Sequence, residues 1–160
     1  MKIGIIVVSD SSSKGERVST TQDLITELVK PLGNVAMIEI IPDEKELIKK
    51  MMITFCDHHH IDLVISTGGT GLSPRDVTPE ATREILHKEI PGLGEMMRMS
   101  TIQFTPLSIL SRATGGIRGK SLIVNLPGSP KAVKQCLEAI LPVIPHAIEV
   151  IRGEANRCGG

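Results

Sequence analysis

A chain of 160 residues with 41% hydrophobic side chains has apolar mass for one domain with a buried core, and no second domain is indicated. Its three cysteines, Cys56, Cys136 and Cys158, are odd in number and form no C-x-x-C, which excludes a disulfide framework or zinc knuckle and fits a reducing cytoplasm. No apolar run reaches the roughly 18 residues of a membrane helix, the opening Met1-Lys2-Ile3 carries no cleavage-site pattern, and 1% aromatic content argues against stacked single-stranded nucleic acid. A cytoplasmic domain without membrane or nucleic-acid partners is expected.

The run KIGIIVVSD, Lys2 to Asp10, has the continuous branched-aliphatic character of a strand of a parallel sheet covered on both faces. A polar loop, SDSSSKGERVS, follows it. Thr20 or Thr21 caps a predicted helix with Leu24, Ile25, Leu28 and Val29 on one stripe, which ends near Pro31-Leu32-Gly33. Val35 to Ile41 is a second strand, stopped by Pro42. Asp43, with Glu46 three residues on, opens a helix carrying Leu47, Ile48, Met51, Met52 and Phe55. That helix ends near His58-His59-His60, and Ile61 to Ser66 is a third strand.

The stretch STGGTGLSPRDVTPEAT, Ser66 to Thr82, then joins an apolar run to a helix start. Gly68, Gly69 and Gly71 can take positive φ and let backbone N–H groups approach a ligand, and Thr78-Pro79-Glu80 reads as N-cap, first-turn proline and dipole-complementing acid. Pro91-Gly92 breaks the helix, and Leu93 to about Ile102 predicts a methionine-rich one. Leu107 to Thr114 and Ser121 to Asn125 flank GGIRGK, which predicts an antiparallel or irregular β-excursion hinged on Gly115, Gly116 and Gly119. Lys131 to Ile140 and Pro145 to Ile151 are closing helices of a single domain over 1–153, with 154–160 as a disordered tail.

Alternation of strands and helices implies an α/β fold: a mostly parallel sheet with helices on both faces. Right-handed crossovers place every strand-to-helix loop along one edge, where ligands bind. Four loops should meet there: Ser9-Asp10-Ser11-Ser12, Pro42-Asp43, the glycine loop with Arg75-Asp76, and Asn125-Leu126-Pro127-Gly128.

Asp43 and Asp76 are 33 residues apart, yet each lies just past a strand. Two carboxylates, glycine-rich backbone donors and an arginine form the kit for a magnesium nucleotide: the acids orient the hydrated metal, and N–H groups with Arg75 take phosphate oxygens. Phosphoryl and nucleotidyl transfer need little beyond such positioning and charge neutralisation. A plainer reading makes Asp43 an N-cap, and gives Thr70 and Ser73 only local turn hydrogen bonds. Asp76 lies two residues before the expected cap Thr78 and is spare.

The loop matches neither the P-loop nor the dinucleotide-binding pattern. Three consecutive histidines on a helix point about 100° apart and do not share one metal ion. Met51, Met52, Met96, Met97 and Met99 read as core or subunit-contact filler, and Cys136 as packing. Met1 to Glu95 holds fifteen acids against ten bases, and the remainder three against eight. The acid-free segment after Glu95, with Arg98, Arg112, Arg118, Lys120, Lys131 and Lys134, either faces an anionic ligand or pairs with the acidic half after folding.

Taken in order, IPDE, TGGTGLSPRDVTPEAT, IPGLGEMMR, ILSR, GGIRG and NLPGSPKAV resemble the molybdopterin adenylyltransferase family, which also includes the corresponding domain of gephyrin, over about Ile3 to Gly153. The resemblance implies a three-layer α/β/α sandwich, usually trimeric, that transfers AMP from Mg-ATP to the terminal phosphate of molybdopterin and releases pyrophosphate. Its adenylylated product is the form that accepts molybdate, so a molybdate-inserting enzyme is the implied downstream partner. The family's two essential acids, catalytic and Mg2+-associated, fall on Asp43 and Asp76. Gly68, Gly69, Thr70, Gly71 and Arg75 would cradle phosphates beside Ser9 and Asp10; Ser100 falls on a pterin-binding serine, and Asn125, Pro127 and Gly128 on another edge of the pocket. Arg112, Arg118 and Lys120 gain a role in neutralising substrate or pyrophosphate. A non-catalytic molybdopterin-binding paralogue or scaffold module is the alternative.

Overall fold

The computed structural model describes residues 1–15 and 20–154. The expected tail, apart from Glu154, lies outside the described residues, as does the end of the first polar loop.

Strands β1 (Lys2–Val8), β2 (Asn34–Ile41), β3 (Leu63–Thr67), β4 (Lys88–Glu89), β5 (Gly115–Arg118) and β6 (Ser121–Leu126) form one sheet in the order β2-β1-β3-β6-β5-β4. The pairs β1–β2, β1–β3 and β3–β6 are parallel, and β5–β6 and β4–β5 are antiparallel. The described helices are α1 (Asp10–Ser13), α2 (Thr21–Val29), α3 (Lys45–Ile53), α4 (Thr78–Ile85), α5 (Pro91–Thr101), α6 (Pro130–Ile140) and α7 (Ile144–Arg152).

The sheet is buried on both faces, as the aliphatic runs require. Ile3, Ile5, Leu63, Ile65, Leu122 and Val124 point to one side and pack with Ile25 and Val29 of α2, Leu93 and Met97 of α5, and the inner faces of α6 and α7. Ile6, Val8, Val64 and Ile123 point to the other and meet Ile48 and Met52 of α3, Phe55, and Ala81 and Ile85 of α4. The period of two along each strand thus divides the core into two halves, giving the three-layer arrangement. Burying one such aliphatic side chain contributes about 1.5–3 kcal/mol.

Local structure departs from the sequence reading in four places. Asp43 is not a cap: α3 starts two residues later, behind Glu44, which makes no side-chain cap bond. Thr78 is already helical, with Val77 at the cap position. The predicted extended segment 107–114 instead contains a 3-10 turn at Pro106–Leu110, and the antiparallel excursion is β4-β5-β6, whose two-residue β4 was too short to carry a pattern. The end of α3 widens into a π-turn, Thr54–His58, that seats Phe55 in the core and leaves His58, His59 and His60 exposed. Among the described residues no helix is long and apolar enough to cross a membrane.

Candidate active site

The carboxyl ends of β1, β2, β3 and β6 share one rim because these four strands run parallel. Ser9 continues β1 and donates its N–H to Ile41 O of β2 at 2.9 Å. The glycine loop leaves β3 through Gly68 and Gly69, at φ +99° and +64°. A side chain at Gly68 would collide with the Val8 carbonyl, so only glycine lets the loop turn between β1 and β6. Gly68 N–H reaches Leu126 O at 3.1 Å, and Thr67 Oγ1 donates to Pro127 O at 2.6 Å, fixing the loop to the end of β6.

Asp43 and Asp76 flank this loop. A Cβ on Gly69 would stand 3.1 Å from Asp43 Oδ1, and one on Gly71 would stand 2.9 Å from Asp76 Oδ2. Asp10 and Asp43 are tied reciprocally: Asp10 N–H donates to Asp43 Oδ2 and Asp43 N–H to Asp10 Oδ1, both at 3.0 Å. Asp76 Oδ2 accepts Ser73 N–H at 2.8 Å. Arg75 grips Asp10 through Nε at 3.1 Å and Nη2 at 2.9 Å. Among the described residues neither Asp43 nor Asp76 forms an ion pair.

These environments separate the acids electrostatically. Burial pushes the Asp43 carboxyl above its ordinary value, reinforced by the negative charges of Asp10 and Asp76 and opposed by the Asp10 N–H and Arg75. Asp10 is held below its ordinary value by the Asp43 N–H and the Arg75 guanidinium.

Two cavities open beside the loop and share Gly128 and Ser129 on their walls. The larger, about 530 Å³, is bounded by Thr70, Gly71, Asp76, Met97, Arg98 and Thr101, among others, and falls within the size range of small-molecule sites. The smaller, about 320 Å³, is rich in hydroxyls: Ser9, Ser12, Thr20, Thr21, Thr67 and Ser129. Ser129 caps α6, with its Oγ accepting Ala132 N–H at 3.3 Å, so the positive end of that helix points at the boundary between the cavities. Cys136 is buried in the larger cavity's wall with its thiol pushed up to about 11 by burial, which keeps it protonated and unreactive.

Some expected site residues are elsewhere. Asn125 is fully buried, donating Nδ2–H to Ser66 Oγ at 2.8 Å and Thr82 Oγ1 at 2.9 Å, so its side chain holds the sheet to α4 and does not edge the pocket. Ser100 is half-buried on α5 and lines neither cavity. Arg118 and Lys120 lie at the opposite end of the sheet, since they precede β6; Arg118 pairs with Asp57.

Arg112 does reach the rim, but its donors are committed. Nε donates to Gly71 O at 2.7 Å, Nη2 to Asp76 O at 2.6 Å, and Nη1 to Glu80, while its N–H meets Thr70 O at 3.0 Å. It clamps both ends of the glycine loop. No local pattern signals this, because the side-chain partners are 32 to 41 residues away and Thr70 is farther still.

A family model described as a probable molybdopterin binding domain matches residues 4–146. The chain belongs to this family. Molybdopterin adenylyltransferase of Helicobacter pylori strain J99 is 47% identical over 156 residues, covering 94% of this chain and 88% of that protein. The enzyme of the same name from Escherichia coli K12 is 36% identical over 169 residues, covering 96% and 86%. Among solved structures, the molybdopterin biosynthesis enzyme MoaB from Thermus thermophilus superposes with a TM-score of 0.90 at 47% identity, over 98% of this chain and 99% of that one. The family membership covers every rim element from β1 to α6.

Asp43 and Asp76 supply hard oxygen donors, and among the described residues no cluster of three or more His, Cys, Asp or Glu forms a metal cage. That donor set fits Mg2+, which keeps several waters and is commonly held by one or two carboxylates together with substrate phosphates.

Proposed function

We propose that this protein is a molybdopterin adenylyltransferase of molybdenum cofactor biosynthesis, using Mg-ATP as co-substrate. The reading rests on one observation above the rest: two carboxylates that form no ion pair among the described residues flank a glycine loop whose carbonyls are clamped by Arg112. Burial makes the charged form of Asp43 costly, a cost that positive charge on a ligand would offset. The names of the relatives supply the pterin, which nothing in the geometry spells out.

In the reaction, an oxygen of the terminal phosphate of molybdopterin attacks the α-phosphorus of ATP. A phosphorus–oxygen bond forms there, the bond from that phosphorus to the α–β bridging oxygen breaks, and pyrophosphate departs with the electron pair. The nucleophile is already ionised, so no general base is required. Asp43 and Asp76 would hold Mg2+, which supplies neutralisation of the triphosphate charge. The loop N–H groups from Gly69 to Gly71 and the α6 N-terminus favour phosphate oxygens, and Arg75 is the mobile cation, since its exposed pairing with Asp10 is weak enough to exchange. The larger cavity, with Met97 beside the hydroxyls of Thr70 and Thr101, suits a flat polar heterocycle.

The test is to incubate the protein with molybdopterin, ATP and Mg2+ and to follow pyrophosphate release and the ligand's mass. A gain of one adenylyl group that requires Mg2+ is expected. Binding of molybdopterin without that gain would support the paralogue reading instead.

A homotrimer belongs to the same proposal. Met99, Ile102, Phe104, Leu107 and Ile109 are all more than half exposed along α5 and the following turn, an apolar surface that subunit contact would cover. Light scattering at three times the monomer mass is the expected result.

A further inference from the structure

Thr78 is the first residue of α4 and is completely buried, yet its hydroxyl has no hydrogen-bond partner among the described residues. Its backbone is fully engaged: N–H donates to Gly69 O at 3.1 Å, and its carbonyl accepts Thr82 Oγ1 at 2.8 Å. The hydroxyl makes no cap bond, because the helix begins with Val77 as its cap. A buried hydroxyl left unpaired is destabilising, and a native structure that tolerates one usually has a use for it.

The direction of that hydroxyl is the second observation. A Cβ on Gly69 would collide with Thr78 Oγ1 and at the same point stand 3.1 Å from Asp43 Oδ1. The hydroxyl and the carboxylate oxygen therefore both border the space left by the missing side chain of Gly69. Asp43 Oδ2 is already occupied by the Asp10 N–H, so Oδ1 is the oxygen turned toward this space. Among the described residues Asp10, Asp76 and Arg75 are the charged groups that act on Asp43, and the atoms nearest to a Cβ at Gly69 belong to Thr78 and Asp43 alone.

We propose that Thr78 is a positioning residue of the site, whose buried hydroxyl donates to Asp43 Oδ1 across the gap left by Gly69 when the Mg-ATP complex draws that carboxylate into place. The inference rests on the adenylyltransferase reading and extends it to a residue that never touches substrate. It also explains why position 69 holds glycine: besides φ +64°, any side chain would fill the path between donor and acceptor. A hydrogen bond to a charged group is worth enough to make the loss of this one cost about ten- to a hundredfold in kcat.

The experiment compares wild type with Thr78→Val and Thr78→Ser, read by steady-state adenylylation and by the thermal shift that Mg-ATP produces. Valine keeps the shape and removes the hydroxyl; serine keeps the hydroxyl and removes the methyl. The ligand-free valine variant is expected to melt at or above wild type, because an unpaired polar group is gone. Its Mg-ATP shift should shrink and its kcat fall, with KM for molybdopterin unchanged, while serine restores kcat to within about threefold of wild type. Activity that follows the methyl, equal activity in all three proteins, or equal loss in both variants would overturn the inference. A wild-type protein that neither binds Mg-ATP nor transfers AMP removes the underlying reading before any variant is compared.

Discussion

The two ends of the sheet carry the same residue types and treat them in opposite ways. At the end remote from the cavities beside the glycine loop, Asp57 accepts Nε and Nη2 of Arg118 at 3.1 and 2.6 Å, and Asp62 accepts Arg152 at 2.7 Å and the Lys2 N–H at 2.6 Å. At the rim, Asp43 and Asp76 are given backbone N–H groups, and the arginines are assigned elsewhere: Arg75 to Asp10 and Arg112 to carbonyls of the loop. Asp57 and Asp62, paired with the less exposed Arg118 and Arg152, are finished structures. Acids that, among the described residues, accept only backbone N–H groups can take up positive charge that a ligand brings.

Replacement of either rim acid should produce the largest contrast. Asp43→Asn and Asp76→Asn are expected to lower kcat/KM a hundredfold or more, about 3 kcal/mol of transition-state stabilisation, with circular dichroism preserved and no loss of melting temperature. Equal losses on replacing Asp57 would erase the distinction between the two ends.

Next in size is the clamp. Arg112→Ala removes two side-chain bonds from the loop and one from Glu80 of α4, and should cost about ten- to a hundredfold in kcat/KM with about 1–3 kcal/mol of stability measured by urea unfolding. Arg112→Lys should recover little of it, because an ammonium cannot reproduce the fork that bridges Gly71 and Asp76.

The pH dependence sharpens the comparison by sign. The Asp43 carboxyl is raised by burial, so its contribution favours the fold below the ordinary carboxylate value of 3.8 and is lost as pH rises through the raised value. Asp43→Asn should therefore gain stability relative to wild type as pH rises through that window, and match it in stronger acid. Asp57 is lowered by its bonds to Arg118; Asp62 is pushed up by burial but held lower overall by Arg152 and the Lys2 N–H. Their contributions are present above 3.8 and disappear as pH falls through the lowered values. Melting curves of the single Asn variants between pH 3 and pH 7 distinguish the two signs.

The smallest effect belongs to the exposed pair itself. Asp57→Asn should cost about 1 kcal/mol or less in unfolding free energy and leave adenylylation unchanged.

What could be read from the chain follows from the range of the interactions concerned. The aliphatic runs of β1 and β3 and the stripes of α2 and α6 repeat with a period the backbone imposes, so their existence and the α/β class were legible, as was the meeting of Asp43 with Asp76 on one rim through the topology of parallel strands. β4 has only two residues, and the π-turn depends on Phe55 entering the core, so neither left a periodic trace. Asp43 and Thr78 resembled caps because acids and threonines before helices usually are; tertiary bonds to Asp10 and the loop drew each into another role. Asn125 adjoins the Pro127-Gly128 turn in sequence, but strand alternation turns its side chain inward to Ser66 and Thr82.

The order of residues alone determined where strands and helices form, that the sheet is mostly parallel, and which loops share an edge, because these depend on periodicity and on the handedness of L-amino acids. Only the folded structure decided which arginines are consumed by the protein and which acids are left for a ligand. Charge pairing acts over a few ångströms in space between residues tens of positions apart, and nothing in the spacing of Arg112, Arg118 or Asp43 records where the chain will bring them.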